Sequence, residues 1–300
     1  MIAGLLPLSM KAQQMPQLSQ YMFNKYLINP AVAGTSTHTK IKLGYRYQWI
    51  GFDKNVPQTI NFSVFGPFEE KSMGWGASAY ADIWGPTSRM GALGTYTYNL
   101  AVYDEYRLSA GASFGIMQFK MNGSQIDLGD DLYDPYFTGN DIARVVPDGN
   151  IGLYFYSSSL YAGFAAHQLF GNKMTFTDTD TQPQDEDELK GLNRLRQHFY
   201  FSAGKIFLLN ADYRLDSYML IKGSYPGVFQ WELSAQVAYQ NTIWGGISYR
   251  HKDALSFLVG GNVDNITFGF SYDFVTTQIS PLTSGTIELM VGFNFDAIRN

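Results

Sequence analysis

The chain has no cysteine. Disulfide staples, thiolate metal sites and cysteine nucleophiles are excluded, while the redox compartment stays open. Charge is also scarce: Asp, Glu, Lys and Arg make up 16% of the 300 residues, where an average soluble domain carries about a quarter. The formal net charge is −5, and no Lys/Arg cluster offsets it, which argues against a nucleic-acid partner. No apolar run approaches the roughly 18–20 residues that a membrane-crossing helix requires. The histidines are His38, His167, His198 and His251, and none stands at a metal-ligand spacing. No metal or other cofactor is expected, and no enzymatic activity.

What the chain has in quantity is Phe (22), Tyr (21) and Gly (30). Many aromatics with few charges suit strands that meet lipid on one side and water on the other. Residues 229–240 give the clearest pattern: Phe229, Trp231, Leu233, Ala235, Val237 and Tyr239 alternate with Gln230, Glu232, Ser234, Gln236, Ala238 and Gln240. That is period two, with an apolar face and a nearly all-polar one. The length matches the roughly 9–11 residues of a tilted membrane-spanning strand. Segments 40–49, 265–276 and 285–296 alternate in the same way, with aromatics near the strand ends as an interfacial girdle requires.

Extending this reading gives fourteen segments: 40–49, 58–66, 73–83, 87–101, 105–120, 148–157, 159–169, 197–208, 213–223, 228–240, 242–251, 254–263, 265–276 and 285–296. The expected fold is all-β, a single antiparallel transmembrane barrel of about 14 strands over residues 40–296. If the first strand runs outward, the two longest connections, 121–147 and 170–196, both fall outside. The tight turns at Tyr103-Asp104, Ser158, Asn241 and Val263-Asp264 then all fall on the periplasmic side. Outer-membrane barrels sort their loops this way, which places the protein in the outer membrane of a Gram-negative bacterium. Residues 1–12 read as a signal-peptide remnant, apolar over 1–9 with Ala12 as the small residue before a cleavage point. Residues 13–39 form an N-terminal segment, either a periplasmic extension or a plug in the lumen.

Several stretches resemble the PorP/SprF family of the type IX secretion system. They are Gln17-Leu18-Ser19-Gln20-Tyr21-Met22-Phe23-Asn24, continued by Ile28-Asn29-Pro30-Ala31-Val32-Ala33-Gly34; Tyr45-Arg46-x-Gln48-Trp49-x-Gly51-Phe52 with Pro57-Gln58-Thr59; Asp82-x-x-Gly85-Pro86; and Gly269-x-Ser271-Tyr272-Asp273-Phe274 with Ser284-Gly285-Thr286-Ile287-Glu288-Leu289. Lys25 stands where the family carries a small or apolar residue, and Thr286 where it tends to carry His. The resemblance implies an outer-membrane barrel that anchors or receives cargo with type B C-terminal sorting domains. It also implies links to periplasmic components of the machine and, in some bacteria, to gliding motility.

The candidate binding residues form three groups. In the opening motif, Gln20, Tyr21, Met22, Phe23, Asn24, Asn29 and Pro30 lie outside any strand, and apolar side chains there must be covered by something. They pack into the barrel mouth or dock a partner. In the long outer loop, Tyr133, Asp134, Tyr136 and Phe137 combine aromatics with carboxylate, a composition common in protein interfaces. Among strand residues, Arg46, Glu232, Asp273 and Glu288 are expected to face the lumen, because a charge on the lipid face costs on the order of 2–4 kcal/mol. Two further features carry less weight. The acidic stretch 178–188 lacks calcium-loop spacing, and His167 is the one histidine placed where an outer-membrane hydrolase would be sought. The competing function is a channel or transporter for small solutes.

Overall fold

The computed structural model describes residues 17–52, 55–68, 72–125, 141–172, 195–224, 227 and 229–295. Fourteen antiparallel strands close on themselves, each paired with its sequence neighbours and the first with the last. They are β1 (Thr39–Tyr47), β2 (Gln58–Pro67), β3 (Met73–Trp84), β4 (Thr87–Tyr103), β5 (Tyr106–Met121), β6 (Ile142–Tyr156) and β7 (Leu160–His167). The second half comprises β8 (His198–Leu208), β9 (Tyr213–Ser224), β10 (Phe229–Tyr239), β11 (Ile243–Arg250), β12 (Ala254–Val263), β13 (Ile266–Val275) and β14 (Thr286–Phe295). Closure runs through β1 and β14, from Thr39 opposite Phe295 to Tyr47 opposite Ile287. Closure leaves no edge strand, the condition for setting strands in hydrocarbon.

The period-two pattern decides which way each side chain points. Along β10, Phe229, Leu233 and Val237 are 65%, 49% and 43% exposed, while Glu232, Ser234 and Gln236 between them are 2%, 7% and 5% exposed. The same holds for Phe268, Phe270 and Phe274 against Ser271 and Asp273 on β13. The exposed face is thus the apolar one, the inverse of a water-soluble sheet and the arrangement expected of a lipid-facing wall.

The turns at Tyr103-Asp104, Ser158, Asn241 and Val263-Asp264 all sit at the end where β1 begins and β14 finishes, here called the terminal end. At the β10–β11 turn Gln240 and Asn241 both have positive φ (48° and 56°), and Thr242 N–H donates to the Tyr239 carbonyl at 2.9 Å. This is the mirror-image turn whose twist matches that of the strands. The β5–β6 and β7–β8 connections lie at the opposite, far end.

Every strand end but one falls within two residues of the sequence reading, and two of the differences are informative. β1 stops at Tyr47, and Trp49 takes a positive φ of 54°. β6 begins at Ile142, six residues before the expected 148, and carries Pro147 inside a ladder. Proline in a strand normally marks an unpaired edge. β6 meets β5 along its whole length but β7 only from Ile151 to Tyr156, so Pro147 lies on a free margin.

Candidate functional site

Residues 17–38 precede β1 and run inside the barrel as a strap, with short 3-10 turns at Lys25–Leu27 and Pro30–Val32. Its upper attachment is built from charge. Arg46 on β1, Arg250 on β11, Asp273 on β13 and Glu288 on β14 alternate with lipid-facing neighbours, so all four converge in the lumen, each at most 4% exposed. Arg46 pairs with Asp273 at 2.8 Å and Glu288 at 3.0 Å. Arg250 pairs with Glu232 of β10 at 2.8 Å and Asp253 at 2.9 Å.

Ser19 sits in the middle of this network. Its Oγ accepts from Arg46 and Arg250, both at 2.8 Å, and donates to Asp273 at 2.7 Å. The backbone N–H groups of Ser19 and Gln20 donate to the two Glu288 carboxylate oxygens at 2.8 and 3.1 Å. The Gln20 side-chain amide donates to the Glu288 carbonyl at 2.9 Å. Buried charges of this kind are tolerated only when paired and fully hydrogen-bonded. Here part of that bonding comes from the strap itself.

Below Ser19 the strap is held by packing. Tyr21, 1% exposed, and Met22, 6% exposed, enter a lumenal cluster with Tyr200, Leu220, Ala238, Trp244 and Leu258. Phe23 stacks on Trp244 with ring centroids 4.1 Å apart. Asn24 donates to Ser63 Oγ at 3.0 Å, and the Tyr26 hydroxyl lies 2.6 Å from Thr95 Oγ1. The Asn29 amide donates to the Leu153 carbonyl at 2.9 Å and the Phe164 carbonyl at 3.3 Å, while its carbonyl oxygen accepts from Ala31 N–H at 3.0 Å. This caps the turn that Pro30 begins. Close approach is possible because the wall is glycine there: a Cβ on Gly111 would stand 2.6 Å from Ala31 Cα.

The opening motif residues Gln20, Tyr21, Met22, Phe23, Asn24, Asn29 and Pro30 are therefore all spent inside the barrel. Burial raises the phenol pKa of Tyr21 and of Tyr26. Lys25 places its ammonium 3.8 Å from the Tyr161 ring centroid. Burial pulls it down to about 7, with Asp216 pulling upward and Lys40 and Arg214 adding to the fall.

Between the strap and the wall a cavity of about 90 Å³ is left, lined by Leu18, Leu27, Ile28, Asn61, Tyr200 and Lys222 among others. His167 also lines it, buried to 4%, and donates from Nε2 to the Ile28 carbonyl at 2.8 Å. It thus supports the strap and stands away from the lipid face, where a hydrolase would need it. Tyr133, Asp134, Tyr136, Phe137, the acidic stretch 178–188 and residues 1–12 lie outside the described residues. Among the described residues no group of three or more His, Cys, Asp or Glu side chains could hold a metal ion.

Arg46, Glu232, Asp273 and Glu288 follow from alternation; Arg250 does too, in the series Trp244, Gly246, Ser248, Arg250, but is not singled out in the sequence reading. Ser19 carries no periodic signal at all. A hydroxyl that joins two guanidiniums to a carboxylate is recognisable only once the strands are closed around it.

The family model described as "Type IX secretion system membrane protein PorP/SprF" matches residues 10–293. No curated protein matches the chain. Among solved structures, the Ralstonia pickettii toluene transporter TbuX is similar with a TM-score of 0.51 and 11% identity, covering 90% of this chain and 92% of its own. The Pseudomonas putida toluene transporter TodX has a TM-score of 0.50 and 10% identity, covering 91% of this chain and 94% of its own. At such identities the likeness is one of fold.

Proposed function

Because the chain belongs to the PorP/SprF family of type IX secretion system membrane proteins, and because its own N-terminal strap is bonded across the lumen, we propose that it works by holding proteins and not by passing solutes. In this reading the barrel is a non-enzymatic component of the Gram-negative outer membrane. It anchors or receives secreted surface proteins with type B sorting domains and links them to periplasmic parts of the machine, including those of gliding motility. The terminal end, with its tight turns, faces the periplasm; the far end, with the long connections, faces outward.

The observation that carries this is the attachment of Ser19 and Gln20 to Arg46, Arg250, Asp273 and Glu288. A conduit gains nothing from locking its bore with buried ion pairs, whereas a rigid anchor does. Affinity purification of the detergent-solubilised native protein is expected to recover a sorting-domain cargo or a periplasmic machine component. Recovery of neither, from cells in which the secretion complex stays assembled, counts against the proposal.

A second reading, a channel for small solutes, is favoured by the lumenal cavity and by the fold shared with toluene transporters. It requires steady conductance in planar bilayers or uptake of toluene by reconstituted vesicles. An anchored strap predicts neither until residues 17–36 are deleted.

A further inference from the structure

Charge is not evenly spread along the lumen. Toward the far end, Arg46, Arg89 and Arg250 are interleaved with Asp82, Glu232, Asp273 and Glu288 in short ion pairs. Toward the terminal end the balance reverses. Lys25 of the strap, Lys40 and Lys42 of β1 and Arg214 of β9 share that region, among the described residues, with one buried carboxylate, Asp216, which Arg214 already holds at 2.8 Å.

The three lysines make no ion pair among the described residues. Lys25 Nζ stands 3.8 Å from the centroid of Tyr161 and 5.3 Å from that of Tyr218, and Lys42 Nζ stands 5.9 Å from that of Phe65. Across the ladders, Lys40 faces Phe65 and Asn294, and Lys42 faces Ser63 and Gly292. No carboxylate lies opposite on either neighbouring strand. Among the described residues, the carboxylates of the terminal-end turns, Asp104, Glu105, Asp212 and Asp264, are exposed, and salt screens them beyond about 8 Å at physiological ionic strength.

Uncompensated like charges in a partly dry lumen repel strongly, and aromatic faces offset only part of that. The spacing defines the counter-charge. Lys40 and Lys42 are alternate residues on one strand face, so their stems are roughly 7 Å apart. Carboxylates at alternate positions of an extended peptide repeat at the same interval.

We propose that the terminal half of the lumen is a receptor for an extended acidic peptide, whose alternating carboxylates are taken by Lys40 and Lys42 and whose leading end reaches Lys25 beside Tyr161. The proposal deepens the protein-holding reading by giving a chemistry to the partner segment that enters from the terminal end.

The test uses the full chain in lipid nanodiscs and the fluorescence anisotropy of a labelled peptide with Glu at alternate positions and Ser between. Saturable binding is expected, weakened at least tenfold in the Lys40→Gln/Lys42→Gln variant, with no binding of the matching Lys peptide. Lys25→Gln, on the strap and not in the wall, is expected to weaken binding as well, and it serves alone if the double variant loses its heat-modifiable mobility on gels. Absence of binding at low salt, undiminished binding by the variants, or displacement by an equal concentration of inorganic phosphate would each overturn the proposal. Because the peptide is synthetic, the outcome is independent of purification. A barrel that binds it yet recovers no secretion partner refutes the earlier reading alone, and the converse refutes this one alone.

Discussion

Ser19→Ala tests whether the strap is locked by the lumenal charges or merely lies among them. Of the three hydrogen bonds made by Ser19 Oγ, two have replacements at hand. Arg46 Nη1 keeps Glu288 at 3.0 Å, and Asp273 Oδ2 keeps Arg46 Nη2 at 2.8 Å. Arg250 Nη2 has only Ser19, at 2.8 Å. A hydrogen bond to a charged group contributes about 1.5–3 kcal/mol, so opening of the strap should become easier by roughly 10- to 150-fold at about 1.4 kcal/mol per decade. The chain has no cysteine, so a single Met22→Cys, at a position 6% exposed, gives a background-free reporter. Maleimide labelling in nanodiscs follows the open population when opening and closing are fast relative to labelling. Adding Ser19→Ala to the Met22→Cys protein should accelerate labelling within that range while the barrel keeps its heat-modifiable mobility. Acceleration below about tenfold would refute the lock, because the hydroxyl would then contribute less than the weakest hydrogen bond to a charged group.

Other perturbations follow from the same geometry. Gly111→Leu places a Cβ 2.6 Å from Ala31 Cα, so the strap must leave the wall; conductance should appear in planar bilayers while strand content by circular dichroism is unchanged. Asn29→Ala removes the cap on Ala31 and two bonds to wall carbonyls, and should lower hydrogen-exchange protection of residues 28–33 by about 1–2 kcal/mol. Leu233→Arg puts charge at mid-height on the lipid face and should cost the barrel about 2–4 kcal/mol in denaturant titrations, whereas Gln236→Arg, pointing inward, should cost less. Binding of the acidic peptide should weaken as pH rises from about 7 toward 9. A bound carboxylate favours the charged form of Lys25, whose free ammonium titrates near 7 among Asp216, Arg214, Lys40 and Tyr161. Lys25→Gln should make that slope shallower.

The strands were legible because a lipid-facing wall obeys one rule that each residue can be tested against: side chains alternate, and only one face tolerates charge. That rule locates β10 from Phe229 to Tyr239 and sends Arg46, Glu232, Asp273 and Glu288 inward without any knowledge of partners. It was blind where a strand outruns its neighbour. The stretch 142–147 pairs on one side only, so Pro147 is permitted and the usual turn signal misleads. It was blind also to the strap, whose attachment depends on contacts between residues as distant as Ser19 and Glu288, with no local period to announce them. Lys40 and Lys42 share the face that marks Arg46, yet their lack of carboxylate partners emerges only from the register with β2 and β14.

The two halves of the lumen have a common cause. A wall that excludes charge from its outer face must carry nearly all its strand charges inside, where those directly opposite on neighbouring strands pair, Arg46 with Glu288, Arg250 with Glu232 and Arg89 with Asp82. At the far end the strap completes the pairing, Ser19 and Gln20 bonding to both acid and base, so removing the strap would leave buried ions short of partners and not simply an empty bore. At the terminal end the described residues supply no such completion: Lys25, Lys40 and Lys42 have no carboxylate partner among them, and on the proposal above an acidic peptide supplies there what Ser19 and Gln20 supply at the far end.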